Sequence, residues 1–435
     1  MSRKQALRAR RIPSVSGPAL FPVLLPSSSS ASRRAGSAWR LSACAAIMVA
    51  VLFFAGCAST PFTAPNRALV EPRGTVLPAQ LISNFFVVET RWDDGRTYRF
   101  IIDTGSTATL VSPEIARKLR QKPRKGEVLA KTTVHSAAGQ TVELDAVILS
   151  RVRLGGSTFD RVNALIFDCT ELSNHLGLPI DGILGFPLFR DTLLTLDYPA
   201  KRLVIAPYPA AFAPLPKQTS RVTTLAFNDE QRRPMIPLQM GNESFMALID
   251  SGSDGCLNLN PAGLHPKFLH GPRVGTLISS LKGDQRQLVG RLNQTVILGG
   301  HTIDKPIVDL TEQLSSIGGE FLRHFTVIFD QRRRQVTFSR ATDAPVSLPP
   351  RRSAGLSFSR TAVYWRVLGV IPDTPTAQLP VQTGDLCVRI NGEPVEKWSF
   401  ERHAELVKSA PKITYTFVTG AKETDVEVPV FDLVP

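Results

Sequence analysis

Two aspartates stand in nearly identical short motifs, each behind an apolar run. Asp103 begins Asp-Thr-Gly-Ser after Phe-Ile-Ile, and Asp250 begins Asp-Ser-Gly-Ser after Ala-Leu-Ile. A single Asp before Thr-Gly is often only a turn cap, because its carboxylate accepts hydrogen bonds from nearby backbone amides. Two copies in one chain suggest a chemical pair instead. Two facing carboxyls that share one proton can supply a general base and a general acid together.

Both motifs belong to a longer internal repeat. Residues 185–205 match residues 318–338 without a gap, and each segment contains an apolar stretch, an aspartate, a basic turn and an alternating strand pattern. Residues 154–160 match residues 298–304 in the same order along the chain. The sequence therefore predicts two similar halves. The first half has extra residues, which we place at 168–179.

Short β-branched and aromatic runs, separated by Gly, Pro and Asn turns, predict that both halves are all-β. One helix is predicted from Pro113 to Lys122, where a proline opens a helical pattern. The 33 prolines of the chain disfavour long helices. The proline-rich stretch 207–220 reads as a linker between the halves.

The paired aspartate motifs resemble the signature of the pepsin/retropepsin aspartic peptidases, and the resemblance covers roughly residues 80–340. It implies two tandem retropepsin-like β-barrel lobes that form a pseudo-dimer within one chain, and hence a monomer. It also implies hydrolysis of peptide or protein substrates by a water that Asp103 and Asp250 activate, without a metal or a cofactor. A catalytically inactive peptide-binding or adapter protein is the alternative.

The resemblance assigns supporting roles to the three residues after each aspartate, which are Thr104, Gly105, Ser106, Ser251, Gly252 and Ser253. It implies that the Thr104 and Ser251 hydroxyls lock the two loops together, and that the glycines let the loops pass closely. The last serine of each motif would donate a hydrogen bond to the aspartate carboxylate and lower the pKa of that aspartate. A glycine behind two hydrophobic residues would support each loop. Residues 183–185 fit that pattern, whereas residues 316–318 begin with a serine.

The family also closes a hairpin flap over the substrate. The flap candidates are Ala138 and Gly139 in the first half and Lys282 and Gly283 in the second. A plain surface hairpin accounts equally well for a Gly-bearing turn between polar strands. The absence of a flap tyrosine of the pepsin type favours the retropepsin side of the family.

The residues after Pro350 show a separate pattern of short strands with one amphipathic helix near residues 400–409. Residues 384–392 resemble the strand and turn of PDZ domains, and the segment Gly355, Leu356, Ser357 and Phe358 resembles their carboxylate-binding loop. The resemblance implies a C-terminal peptide ligand that adds a strand to the sheet edge. His403 would line that groove, although a solvated helix histidine is the plainer interpretation.

The N-terminus has the layout of an export signal, with arginines before an apolar run at residues 43–54. The stretch that ends at Cys57 resembles the lipobox of bacterial lipoproteins, whose cysteine is acylated. This implies a lipoprotein anchored to a membrane on the periplasmic face of the cell envelope, and Ala58 favours the outer membrane. A plain cleaved signal or an uncleaved anchor is the alternative.

These patterns divide the chain into successive segments. They are a signal peptide at 1–56, a tether at 57–80, a first lobe at 81–206, a linker at 207–220, a second lobe at 221–341 and a PDZ-like domain at 350–435.

The net charge of +14 does not indicate nucleic-acid binding, because eight basic residues and no acidic ones fall in the first 56 residues. The remaining basic residues are scattered, whereas nucleic-acid binding needs a clustered face. No Cys/His spacing indicates a metal site. Cys169, Cys256 and Cys387 are expected as buried thiols, with a bridge between Cys169 and Cys256 as the alternative.

Overall fold

A computed structural model describes residues 52–53, 65, 67–136, 141–210, 217, 219–228, 233–280, 283–361 and 363–435. Strands dominate these residues and helices are few and short. The prediction of an all-β protein is confirmed. No helix in the described ranges has the length and apolar character needed to cross a membrane.

The described residues of the first half, together with one short strand before it, contain thirteen strands and two helices. The strands are β1 Leu52–Phe53, β2 Arg67–Leu69, β3 Thr75–Ile82, β4 Phe85–Arg91, β5 Thr97–Asp103, β6 Thr109–Val111, β7 Thr132–Ser136, β8 Thr141–Leu144, β9 Ala146–Leu154, β10 Ser157–Ile166, β11 Gly182–Gly185, β12 Leu193–Asp197 and β13 Arg202–Ala206. The helices are α1 Pro113–Leu119 and α2 Thr170–Leu176.

The second half repeats this pattern with one short helix. Its strands are β14 Val222–Ala226, β15 Met235–Met240, β16 Glu243–Ile249, β17 Leu257–Leu259, β18 Phe268–Ser280, β19 Gly283–Leu292, β20 Val296–Leu298, β21 His301–Asp304, β22 Ile307–Leu310, β23 Ser316–Ile317, β24 Thr326–Asp330, β25 Gln335–Ser339 and β26 Val346–Ser347. The helix is α3 Gly319–Leu322.

The C-terminal module follows as a smaller sheet with one longer helix. Its strands are β27 Arg351–Ser353, β28 Leu356–Arg360, β29 Trp365–Val370, β30 Leu386–Ile390, β31 Glu393–Pro394, β32 Lys412–Thr419, β33 Lys422–Pro429 and β34 Phe431–Val434. The helix is α4 Phe400–Ser409, which begins at the capping residue Ser399.

The repeated segments become two hairpins that share one sheet. β12 and β13 form the first hairpin, β24 and β25 form the second, and β12 pairs antiparallel with β24. Leu193 lies opposite Asp330 and Asp197 lies opposite Thr326. Because Leu193 corresponds to Thr326 and Asp197 to Asp330 in the repeat, exchanging the two halves leaves the pairing unchanged. The similarity found in the sequence is therefore a structural repeat across a shared sheet.

The prediction of a tether at 57–80 is wrong for residues 67–80. β2 pairs with β10 and β3 pairs with β13, so residues 67–80 belong to the first half. Thr75 lies opposite Ile205 and Thr223 lies opposite Phe338, which makes β3 and β14 equivalent strands of the repeat. The prolines and the glycine of this stretch suggested a loop, but the edge of the shared sheet needs a pairing strand.

The predicted helix at 113–122 ends earlier, at Leu119. Ser112 caps its first turn by accepting a hydrogen bond from the Ile115 amide at 3.3 Å. Arg120 then turns to an extended conformation and bridges to Leu149 of β9. Pairing with the sheet ends the helix before residue 122.

One hydrophobic cluster joins the two halves, and the C-terminal module has a cluster of its own around Trp365 and Tyr415. Leu433 and Val434 are exceptions, because these residues of β34 are buried in the cluster of the two halves. Arg291 of the second half donates to the carbonyl of Pro435 and also to that of Pro349. The last strand therefore ties the module to the second half.

The three cysteines in the described part of the chain, Cys169, Cys256 and Cys387, are buried and free. Burial raises the pKa of Cys169 and of Cys387 to about 12. These thiols are therefore inert at ordinary pH, and the alternative of a bridge between Cys169 and Cys256 is wrong.

Candidate active site

Equivalent strands deliver the two aspartates to one place. β5 ends at Asp103 and β16 ends at Ile249, directly before Asp250. β11 lies parallel to β5, and β23 lies parallel to β16 in the same register. The polar Ser316 of β23 is accommodated because its hydroxyl accepts a hydrogen bond from Asn258 Nδ2 at 3.0 Å. The second loop thus has the same support as the first.

Four hydrogen bonds lock the two loops together across the interface between the halves. The Thr104 amide donates to Ser251 Oγ at 3.0 Å, and the Ser251 amide donates to Thr104 Oγ1 at 3.1 Å. The Thr104 hydroxyl donates to the Ile249 carbonyl, and the Ser251 hydroxyl donates to the Ile102 carbonyl, both at 2.7 Å. This reciprocal arrangement is the one implied by the resemblance.

The glycine of each motif lies against the aspartate of the other half. A Cβ on Gly105 would stand 2.5 Å from Asp250 Oδ1, and a Cβ on Gly252 would stand 2.4 Å from Asp103 Cγ. Real Cβ atoms do not approach other atoms so closely, so both positions require glycine for space. The two carboxyls therefore meet over the crossed loops, close enough that each affects the ionisation of the other.

Burial dominates the ionisation of the pair. Asp103 and Asp250 are 2% and 1% exposed, and burial raises the pKa of both above the usual carboxyl range. Repulsion from Asp250 raises the pKa of Asp103 further. Backbone amides of Gly105 and Ser106 donate to Asp103 and oppose the rise, as does the Gly252 amide at Asp250. A pair of this kind gives up its two protons in separated steps and is singly ionised between them.

The serine hydroxyls do not act as expected. Ser106 Oγ donates to the Ala108 carbonyl at 2.8 Å, and it is the Ser106 backbone amide that donates to Asp103 at 2.9 Å. Ser253 Oγ lies 3.5 Å from Asn258 Nδ2. The expected lowering of the pair's pKa by these hydroxyls is wrong, because they satisfy neighbouring groups in their own loops.

The family comparison agrees with this geometry. Residues 88–188 match a family model described as an aspartyl protease. The match spans Asp103 and the supporting strand β11, and it covers less than a quarter of the chain. No curated protein matches the chain. The first half thus contains an aspartyl protease-like domain, and the second half carries the same local arrangement around Asp250.

Two buried residues near the pair were missed in the sequence. Arg233 is 3% exposed, and its charge lowers the pKa of both Asp103 and Asp250. Tyr198 is 1% exposed, and burial beside the two aspartates raises its pKa well above the usual value. Neither residue belongs to a short motif. Only the folded structure brings them to the pair.

Most of the flap candidates cannot be placed. Ala138, Gly139 and Lys282 lie outside the described residues, and Gly283 is the first residue of β19. β7 and β8 flank the first candidate, and β18 and β19 flank the second. Cys57 lies outside the described residues as well.

The predicted peptide-binding residues of the C-terminal module line one cavity of about 800 Å³. Leu356, Ser357 and Phe358 contribute from β28, and His403 contributes from α4. Gly355 has φ +73° at the start of this edge, and a Cβ there would stand 2.6 Å from Thr376 Oγ1. The groove between β28 and α4 therefore exists, and its loop requires a glycine.

The plainer interpretation of His403 as a solvated residue is wrong. Its Nε2 atom lies 2.6 Å from the Tyr415 hydroxyl, and its ring stands against Phe358 and Trp365. Burial lowers the pKa of His403 to about 4, so the ring is neutral at physiological pH.

The extra residues of the first half lie on this module. α2 falls within the predicted insertion at 168–179, and its Asn174 carbonyl accepts a hydrogen bond from Arg360 at 2.8 Å. The His175 ring lies 5.0 Å from the Phe400 ring at the start of α4. Glu171, Asn174 and His175 also line the cavity. The insertion thus forms one wall of the space in front of the groove.

The second half contacts the module through charge. Arg351 of β27 pairs with Asp309 at 2.6 Å and with Glu320 at 3.6 Å. Asp254, which directly follows the second aspartate motif, lines the cavity and is exposed there, and the protein packed around the cavity raises its pKa. The charges of Asp309 and Glu320 raise it further, and Arg351 opposes them.

Proposed function

We propose that the chain is an aspartic endopeptidase in which each half supplies one carboxyl of the catalytic pair. The observation that carries this proposal is the meeting of Asp103 and Asp250, which are buried, with the glycine of each motif lying against the aspartate of the other half. The family match over residues 88–188 supports a protease-like activity.

The proposed reaction uses the pair in its singly ionised form. The carboxylate takes a proton from a water molecule, whose oxygen attacks the carbonyl carbon of the scissile peptide bond. The protonated carboxyl gives its proton to the carbonyl oxygen, which forms a neutral tetrahedral intermediate. The pair then gives its proton to the amide nitrogen and takes a proton from one hydroxyl of the intermediate as the C–N bond breaks, so it ends with one proton.

The remaining parts of the proposal concern partners and location. The groove between β28 and α4 would hold an extended chain end as an added strand, in the manner of a PDZ domain. An acylated Cys57 would anchor the protein to a membrane at the periplasmic face, with the outer membrane favoured. Both halves of the site come from one chain, so the active form would be a monomer.

The test is cleavage of a diverse peptide library by the full chain between pH 3 and 8, with products identified by mass spectrometry. We expect cleavage by the wild type and none by Asp103→Asn. A mimic with a tetrahedral hydroxyl should inhibit, because such groups resemble the transition state. Metal chelators and serine reagents should have no effect.

Two outcomes would overturn the proposal. Cleavage that persists in the Asp103→Asn variant would assign the activity to another site or to a contaminant. A wild type that binds library peptides and leaves them whole across the pH range would identify the chain as a peptide-binding protein.

A further inference from the structure

Arg233 lies two residues before the start of β15, and Asp250 directly follows the end of β16. β15 and β16 pair antiparallel, and the Ile249 amide donates to the Pro234 carbonyl at 3.0 Å. One further step along this register places Arg233 opposite Asp250. Cross-strand neighbours project to the same face of a sheet. The side chain of Arg233 therefore extends from the face that carries the aspartate pair.

Burial makes the charge of this arginine costly without a nearby anion. Arg233 is 3% exposed. Arginine keeps its proton even where burial lowers its pKa, so the guanidinium is a fixed positive charge. A buried charge is tolerated when an opposite charge compensates it. A negative charge on the pair attracts this guanidinium, whereas a doubly protonated pair does not.

Other titratable groups near the pair do not replace Arg233. Tyr198 is neutral, since burial and both aspartates raise its pKa. Asp254 is acidic, and its charge raises the pKa of Asp250. Among the described residues, Arg233 is the cation that acts on both aspartates.

The equivalent position in the first half carries no charge. β4 and β5 pair with Val87 opposite Ile101, and the same register places Phe85 opposite Asp103. Phe85 is 1% exposed, so the equivalent position in the first half has a buried apolar ring in place of a guanidinium. Of these two equivalent positions, only the one in the second half carries a fixed positive charge.

We propose that Arg233 is a positioning residue that holds Asp103 and Asp250 at a single shared negative charge, which is the state that hydrolysis requires. This inference rests on the proposed function. It assigns the two halves different electrostatic roles, although each supplies one carboxyl.

The experiment measures the pair directly in the full chain, without substrate. Aspartate carboxyl carbons are labelled with ¹³C, the two resonances are assigned with the Asn variants, and their midpoints are followed against pH. Arg233→Met and Arg233→Gln should raise the midpoints by about one pH unit or more, because a nearby positive charge is lost. Arg233→Lys should restore the wild-type midpoints. Phe85→Met is the matched control at the equivalent position and should leave them unchanged.

The proposal is overturned if the midpoints of both uncharged variants equal those of the wild type. It is also overturned if Arg233→Lys shifts them as far as Arg233→Met does, because charge would then not be the cause. Peptide cleavage is a separate readout. A wild type that cleaves nothing would contradict the proposed function and leave the midpoints measurable, whereas unshifted midpoints in an active enzyme would contradict the role of Arg233 alone.

Discussion

The two halves are alike where they hold the aspartates and different where they face other groups. Both present an aspartate, a hydroxyl that crosses the interface and a glycine beneath the partner carboxyl. The first half has Phe85 opposite its aspartate and adds α2, which lies on the C-terminal module. The second half has Arg233 in the equivalent place and contacts the module through Arg351.

This comparison separates two kinds of requirement. The crossing of the loops is a geometric requirement that both halves meet with the same residue types. A positive charge at the pair is needed only once and comes from the second half, whereas each half contacts the module through its own residues. Substitutions of residues that both halves share should therefore have similar effects in either half. Substitutions of residues that only one half has should have no counterpart in the other half.

The largest effect is expected at the two glycines. Gly105→Ala and Gly252→Ala should each reduce kcat/KM at least about 100-fold, because the added methyl displaces the partner carboxyl. The two losses should be similar. Initial rates on one cleaved peptide measure this, and a variant that keeps wild-type activity would show that its loop does not lie against the opposite aspartate.

Loss of a crossing hydroxyl should lower stability. Thr104→Ala leaves one buried amide and one buried carbonyl without partners, as does Ser251→Ala. Each variant should lose about 2 to 5 kcal/mol of unfolding free energy. Thr104→Ser and Ser251→Thr keep the hydroxyl and serve as controls. Equal denaturant midpoints for an Ala variant and its control would contradict the four-bond arrangement.

The pH dependence of activity should reflect the buried pair. Burial raises the pKa of both aspartates, so the acid limb of kcat/KM should lie above about pH 4, the value of a free carboxyl. Activity is lost below that limb because the doubly protonated pair contains no base. An acid limb at or below pH 3 would contradict the burial of the pair.

The same shifts predict how stability changes with pH. A carboxyl whose folded-state pKa is raised binds its proton more tightly in the native state. Its contribution is therefore present below pH 4 and is lost as the pH rises through the folded pKa.

The smallest effect concerns the insertion of the first half. Gly177 and Gly263 have φ values of +76° and +75°, so alanine costs about 1 to 2 kcal/mol at either position. A Cβ at Gly177 would also stand 2.9 Å from Ser399 Cβ, whereas Gly263 faces open space. Gly177→Ala should therefore destabilise by about 1 kcal/mol more than Gly263→Ala. Equal thermal midpoints would show that α2 does not press on the module.

Much of the fold could be predicted because each copy of the repeat checks the prediction made for the other. The hairpins at 185–205 and 318–338 matched residue by residue, and the aspartate motifs fell at equivalent places. β3 was missed because Pro78 within it and Gly74 before it resemble a loop, whereas pairing with β13 and with β4 makes the segment a strand. Local patterns report local preference, whereas a strand of this kind is decided by its partners.

The same limit applies to the site. The residue types at Asp103 and Asp250 follow from short motifs, because loop geometry depends on adjacent residues. Arg233 reaches Asp250 across a sheet, and Ser106 finds a closer acceptor than the carboxylate it was expected to serve. Contacts of this kind depend on the distances between segments in the folded protein, and the spacing of residues along the sequence does not give those distances.

The most direct test of the central claim is the initial rate of peptide cleavage by four proteins at the pH of maximal activity. They are the wild type, Asp103→Asn, Asp250→Asn and the double variant. If the carboxyls from the two halves act as one unit, each single variant should lose as much activity as the double variant. Losses that multiply in the double variant, or one single variant that keeps most of the wild-type rate, would show that the two aspartates do not form one catalytic pair.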